Sequence, residues 1–175
     1  DSFKFQVSDG FDYSADATMA ITVTAGIPVQ NPSFETAVPG YGVVTAGNWN
    51  ALTSWTFDPG FGRVLIAGNF SSPASDGLAY CASFGYANAG FEQDLATTVA
   101  NADTLSVTFY LGVRNDTWGE ADKRVNVYFK VGSTYYTQFI DFTGQATGTW
   151  SSHTFTTTIA NGGNLSLGFQ NLGVN

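Results

Sequence analysis

Apolar residues recur at every second position along most of this chain, and that period admits few folds. Leu105, Val107, Phe109, Leu111 and Val113 alternate with Ser106, Thr108, Tyr110, Gly112 and Arg114. Val125, Val127, Phe129 and Val131 alternate with Asn126, Tyr128 and Lys130. Phe3-Phe5-Val7, Phe155-Thr157-Ile159 and Leu165-Leu167-Phe169 repeat the theme. Successive side chains of a strand point to opposite faces, so this spacing lines one face of a sheet with hydrophobic residues. No stretch places apolar residues at i, i+3, i+4 and i+7, as an amphipathic helix requires. Turn signals separate the runs: Ser8-Asp9-Gly10, Val38-Pro39-Gly40, Asp58-Pro59-Gly60, Asp76-Gly77 and Asn161-Gly162-Gly163-Asn164. The expected fold class is all-β, an antiparallel sandwich.

Composition says what such a sandwich can meet. Of 175 residues, 43% are hydrophobic and 11% charged, the reverse of the balance that leaves a chain disordered. The net charge of −8 repels phosphate, which argues against nucleic acid and anionic membranes and leaves hard cations admissible. No apolar run approaches the roughly 20 residues needed to span a bilayer, so no membrane insertion is expected. One cysteine, Cys81, and one histidine, His153, exclude an internal disulfide and a multi-histidine metal site.

Ala25-Gly26-Ile27-Pro28 divides the chain. Ahead of it lies a hairpin of about Phe3–Val7 and Ala17–Thr24 around an acidic turn with Asp9, Asp12 and Asp16. A lone hairpin is marginal in water and must pack on something. Its D-x-F-x-F-x-V-x-D-G pattern, followed by Ala17-Thr-Met-Ala-Ile-Thr-Val23, resembles the last two strands of bacterial cadherin-like or Ig-like repeats. That resemblance implies an N-terminal β-hairpin, residues 1–25, from a second, incomplete β-domain.

Residues 26–175 resemble a different module, the carbohydrate-binding jelly rolls of the galactose-binding-like family. The likeness rests on Val29-Gln-Asn-Pro-Ser-Phe-Glu35, Trp55, Asp76-Gly77-Leu-Ala-Tyr80, Phe91-Glu-Gln-Asp-Leu95, Thr104–Arg114, and Trp150 followed by Phe155, in the family's order. The family usually finishes with one further strand, carrying D-N-V, after the Leu165–Phe169 strand. Its absence before Asn175 is expected to leave an open strand edge, filled by the rest of a longer polypeptide, by a neighbouring chain or by the N-terminal hairpin of this chain.

Sugar rings present flat C–H faces edged by hydroxyls, so a site for them combines an aromatic platform with a few fixed polar groups. If Leu105–Val113 and Val125–Val131 point inward on adjacent strands, Tyr110, Arg114, Arg124, Asn126 and Tyr128 share the outer sheet face. An ordinary polar sheet face with tyrosines favoured for their β-propensity reads the same way. The loop Arg114–Asp122 adds Trp118 as a stacking platform with Asp116 to accept sugar hydroxyls, and Trp49, between Asn48 and Asn50, is a further exposed aromatic. Of the pair Tyr135-Tyr136, one must face out. Trp55 is expected in the core.

The jelly-roll resemblance implies a structural calcium ion near Glu35, with Asp76 as a possible second ligand. Hard cations prefer oxygen donors in irregular loops, and Asp9, Asp12 and Asp16 are spaced like cadherin-type ligands. Relatives of this jelly roll include cyclases that use a carboxylic acid near calcium. Catalysis nonetheless reads poorly here: no G-x-S-x-G occurs, and His153 sits in an alternating strand. The expected protein is an extracellular or cell-surface, non-catalytic module that binds polysaccharide or glycan. The alternative is a structural module of a surface adhesin or fibre that associates through its strand edge.

Overall fold

A computed structural model describes residues 2–5, 17–20, 26–32, 54–57, 63–66, 79–82, 88, 90–113 and 123–172. Among these residues every regular element is a strand: β1 (Ser2–Phe5), β2 (Ala17–Ala20), β3 (Thr56–Phe57), β4 (Arg63–Ile66), β5 (Ala79–Ala82), β6 (Gly90–Val99), β7 (Thr104–Gly112), β8 (Arg124–Val131), β9 (Thr134–Asp141), β10 (Trp150–Thr158) and β11 (Gly163–Asn171). All pairings are antiparallel. One sheet has five strands in the order β3-β6-β11-β8-β9, and three two-stranded sheets pair β10 with β7, β1 with β2, and β4 with β5. The fold is all-β, an antiparallel jelly-roll sandwich, as the alternating pattern requires.

The five-stranded sheet and the β10-β7 pair face each other across one core. Val127, Phe129 and Val131 of β8 and Leu165 and Leu167 of β11 meet Leu105 of β7 and Phe155 of β10 there. Rings lock the layers together: Phe129 stacks on Phe155, and Phe109 meets Phe169 edge-on, both with centroids 5.1 Å apart. Trp55 is buried against Phe91. Each such side chain contributes about 1.5–3 kcal/mol by leaving water.

Residues 26–32, which begin within the Ala25–Pro28 junction, are stitched to this sandwich. Ile27 and Val29 pack against the core. Gln93, almost wholly buried on the inner side of β6, accepts from Gln30 N–H at 2.8 Å and donates to Gln30 C=O at 2.7 Å. A buried amide left unpaired would cost several kcal/mol, so both ends of this side chain are used. Trp55 Nε1 donates to Asn31 C=O at 3.1 Å.

One expectation about strand neighbours is corrected. The Leu105–Val113 strand does not lie beside the Val125–Val131 strand: β7 pairs with β10, from Thr104 opposite Thr158 to Gly112 opposite Trp150. The Leu165–Phe169 strand itself runs through the middle of its sheet, with β6 on one side and β8 on the other.

Candidate functional site

Alternation sends Leu165, Leu167 and Phe169 of β11 and Val127, Phe129 and Val131 of β8 inward, so the residues between them form the outer face of the five-stranded sheet. Across the strands the register opposes Glu92 to Gly168, Gly168 to Tyr128, and Tyr128 to Thr137. One step along, Ser166 lies beside Lys130, which lies beside Tyr135. One step the other way, Gln170, Asn126 and Phe139 stand in a row.

The absence of a side chain at Gly168 organises this face. A methyl built there would sit within 3.0 Å of Cζ, Oη and Cε2 of Tyr128, so the phenol lies over the bare glycine and crosses β11 to reach β6. Its hydroxyl donates to Glu92 Oε2 at 3.1 Å. Lys130 Nζ donates to Glu92 Oε1 at 3.2 Å, so one carboxylate is held by both neighbours. The hydrogen bond from Lys130 to Glu92, and then the Glu92 charge itself, raise the Lys130 ammonium above its ordinary range and keep it protonated. Tyr135, more than half exposed, meets Tyr128 edge-on at 5.2 Å and lies 5.7 Å beneath the Lys130 ammonium. Asn126 is half-buried and its side chain makes no hydrogen bond among the described residues, whereas Gln170 Nε2 donates to Asn88 C=O at 3.0 Å. The result is a pair of fixed rings bordered by a carboxylate, an ammonium and an amide with unused donors and acceptors.

The sequence-derived candidates are dispersed by the fold. Tyr128 and Asn126 sit together on this face. Tyr110 does not join them: through the β7–β10 pairing it lies on the opposite outer face, 56% exposed. There Trp150 lies over Gly112 much as Tyr128 lies over Gly168, with a methyl at Gly112 falling within 3.0 Å of the indole. Arg114, Asp116, Trp118, Trp49, Glu35 and Asp76 lie outside the described residues. The expected calcium site at Glu35 and Asp76 therefore falls outside the described residues, among which no group of three or more His, Cys, Asp or Glu side chains comes together.

Glu92, Lys130 and Tyr135 complete the cluster, and sequence reasoning did not assemble them. Tyr135 had a signal, since one of two adjacent tyrosines must face out, and Tyr136 instead turns inward to the core and accepts from Ala160 N–H at 3.0 Å. Glu92 had none, because Phe91-Glu92-Gln93 buries its amide rather than a hydrophobic residue and so breaks the alternation.

The imidazole of His153 faces the interior rim, stacked 6.0 Å from Phe109, with Nε2 2.8 Å from Ser151 Oγ. Ser151 Oγ–H donates to Gln145 Oε1. Gln145 Nε2 in turn donates to Leu111 C=O at 2.9 Å and Thr149 C=O at 2.7 Å. With its proton directed to the amide, this serine accepts from the imidazole rather than giving it a proton, the reverse of the wiring a serine nucleophile needs.

Residues 25–175 match the family model HpiC1-like, described as HpiC1 cyclase. The chain belongs to the HpiC1-like family. The recognised family is thus one described as a cyclase, where the sequence resemblance pointed to carbohydrate-binding jelly rolls. Among solved structures, this HpiC1-like chain is similar to an apo-form cyclase from Fischerella sp., at TM-score 0.63 and 18% identity over 83% of this chain and 87% of that one. That likeness establishes the shared sandwich. Weaker similarity extends to TmCBM61 in complex with beta-1,4-galactotriose, at TM-score 0.48 and 17% identity over 83% of this chain and 88% of that one. It extends also to CBM35 from Paenibacillus barcinonensis, at TM-score 0.44 and 19% identity over 70% and 85%. No curated protein sequence matches the chain.

Proposed function

We propose that this HpiC1-like chain is a non-catalytic module of a secreted or cell-surface protein that binds glycan on the outer face of its five-stranded sheet. One observation carries the reading: Tyr128 is held over Gly168 by Glu92 and flanked by Tyr135. A sugar ring stacks its C–H face on such a platform, while Glu92 accepts and Lys130 and Asn126 donate to hydroxyls at its rim. Because Glu92, Tyr128 and Lys130 already fix one another, little side-chain freedom is lost on binding. Trp118 and Asp116 are kept as a second contact from the Arg114–Asp122 loop, and calcium at Glu35 and Asp76 as a structural support. The hairpin of β1 and β2 fits the end of a preceding cadherin-like repeat in the same polypeptide.

A glycan array followed by affinity electrophoresis tests the proposal, with and without EDTA. Retardation by a polysaccharide that Tyr128→Ala and Tyr135→Ala abolish is the expected outcome. If no glycan is retained, or both variants bind as the parent does, the reading fails.

Membership of a family described as a cyclase favours a second reading, an enzyme that closes a ring by proton transfer. Under it a carboxylic acid is the group to replace, and Glu92 is the carboxylate fixed on the sheet face. Turnover lost in Glu92→Gln, with glycan binding absent in the parent chain, would select this reading over the first.

A further inference from the structure

One end of the same sheet face breaks the regular ladder. β6 and β11 lose register between Thr98, opposite Asn164, and Asp94, opposite Ser166, so Leu95, Ala96 and Thr97 stand against Leu165 alone. The surplus residues form a bulge, while Leu95 and Val99 on either side of it keep their places in the core. Ala96 takes a left-handed backbone with φ 50°, a conformation that alanine rarely adopts. Asp94 holds it there, its Oδ1 accepting Ala96 N–H at 2.8 Å. Such strain persists only where its surroundings enforce it, and it gathers at ligand sites.

Beside the bulge is a hollow of about 340 Å³ lined by Asp94, Ala96, Thr97, Thr98 and Asn164. That volume lies at the low end of small-ligand sites and suits a single sugar ring. Its polar lining is uncommitted: Asp94 Oδ2 and the side chains of Thr97, Thr98 and Asn164 make no hydrogen bond among the described residues. The hollow also adjoins the tyrosine platform. Asp94 lies two residues beyond Glu92 on the same strand and face, a step of about 7 Å. The register carries its row through Ser166 to Lys130 and Tyr135.

The two carboxylates of this face differ in charge balance. Glu92 is met by the Lys130 ammonium at 3.2 Å. Asp94 is exposed and has no ion-pair partner among the described residues, in a chain of net charge −8. An open carboxylate oxygen favours a cationic donor, because a charge-assisted hydrogen bond is roughly twice as strong as a neutral one.

We propose, resting on the glycan reading above, that this hollow is a second subsite and that the bound polysaccharide is built of amino sugars with free ammonium groups. The ring next to the one stacked on Tyr128 enters the hollow and donates from its ammonium to Asp94 Oδ2. The hydroxyls of Thr97 and Thr98 and the Asn164 amide take its ring hydroxyls. N-acetylation would remove the charge that Asp94 seeks, and a hexose hydroxyl would give it only a neutral donor.

Titration calorimetry of the whole chain tests the subsite, using β-1,4-linked oligosaccharides of glucosamine, N-acetylglucosamine and glucose of equal length. The glucosamine oligosaccharide should bind most tightly, and Asp94→Asn should weaken it about tenfold while leaving the other two unchanged. Asparagine still offers an oxygen to Ala96 N–H, so the turn should stand and the urea midpoint should match that of the parent. Should asparagine disturb the fold, Thr98→Val leaves the turn untouched and should weaken glucosamine binding about fivefold. Equal affinity for the three ligands overturns the subsite and leaves the glycan platform standing, as does unchanged glucosamine binding in the folded variant. A glucosamine oligosaccharide left unbound while the array retains another polysaccharide has the same consequence. A chain that retains no glycan at all overturns the platform and the subsite together.

Discussion

Replacing Gly168 with alanine separates the platform from the stability of the sandwich. Gly168 has an ordinary negative-φ strand backbone, so alanine fits the main chain, and the conflict is confined to the Tyr128 ring lying over it. The new methyl would overlap the phenol, which must swing off β11 and release Glu92. That bond lies on a half-exposed surface and is worth about 1 kcal/mol net. Alanine in place of a strand glycine returns about 0.5–1 kcal/mol through the lower entropy of the unfolded chain. The two nearly cancel, so the urea midpoint should hardly move. Binding should not be spared: losing a stacked ring and its oriented carboxylate is worth about 2 kcal/mol, or roughly thirtyfold in affinity. Titration calorimetry against the polysaccharide found on the array reads this directly. Tyr128→Phe keeps the ring while losing only the hydroxyl, and should bind more tightly than Gly168→Ala. Unchanged affinity in Gly168→Ala would refute the argument that the ring over the glycine is the binding surface, and a large fall in stability would refute the cancellation.

The other expectations rest on separate parts of the fold. Phe155→Ala removes the ring stacked on Phe129 in the core and should lower stability by about 3–5 kcal/mol in urea unfolding. Gln93→Leu strands the N–H and C=O of Gln30 and should cost about 2 kcal/mol, with faster amide exchange at Gln30 as its local signature. The Lys130 ammonium titrates above its ordinary 10.5 in the folded chain, so its contribution is fully present below 10.5 and is lost as pH rises through the higher folded value. The pair is partly solvated, so alkaline melting curves of parent and Lys130→Met should converge after a difference of less than about 1 kcal/mol. Calcium, if held by Glu35 and Asp76, should raise the melting temperature of the parent and not of Glu35→Ala, with EDTA reversing the gain.

The side-chain direction of most strands was legible in the sequence. Leu105, Val107, Phe109, Leu111 and Val113 all face or line the core, as do Val125, Val127, Phe129 and Val131. Tyr128 and Asn126 were placed correctly on an outer face by the same rule. Their neighbours were not legible, because Glu92, Gly168 and Tyr135 come from three other strands, and Gly168 has no side chain to announce itself. A bare glycine in a strand reads as weakness until the ring that fills its place is seen.

Periodicity alone therefore determined the class of fold and which residues would be greasy, since the two-residue repeat of a pleated strand is a local property of the backbone. It could not determine that β7 pairs with β10 rather than β8, which put Tyr110 and Tyr128 on opposite sides of the molecule. Backbone hydrogen bonds are alike from strand to strand and carry no address. Partners are chosen by how the two layers fill one core, and that choice exists only once the chain is folded.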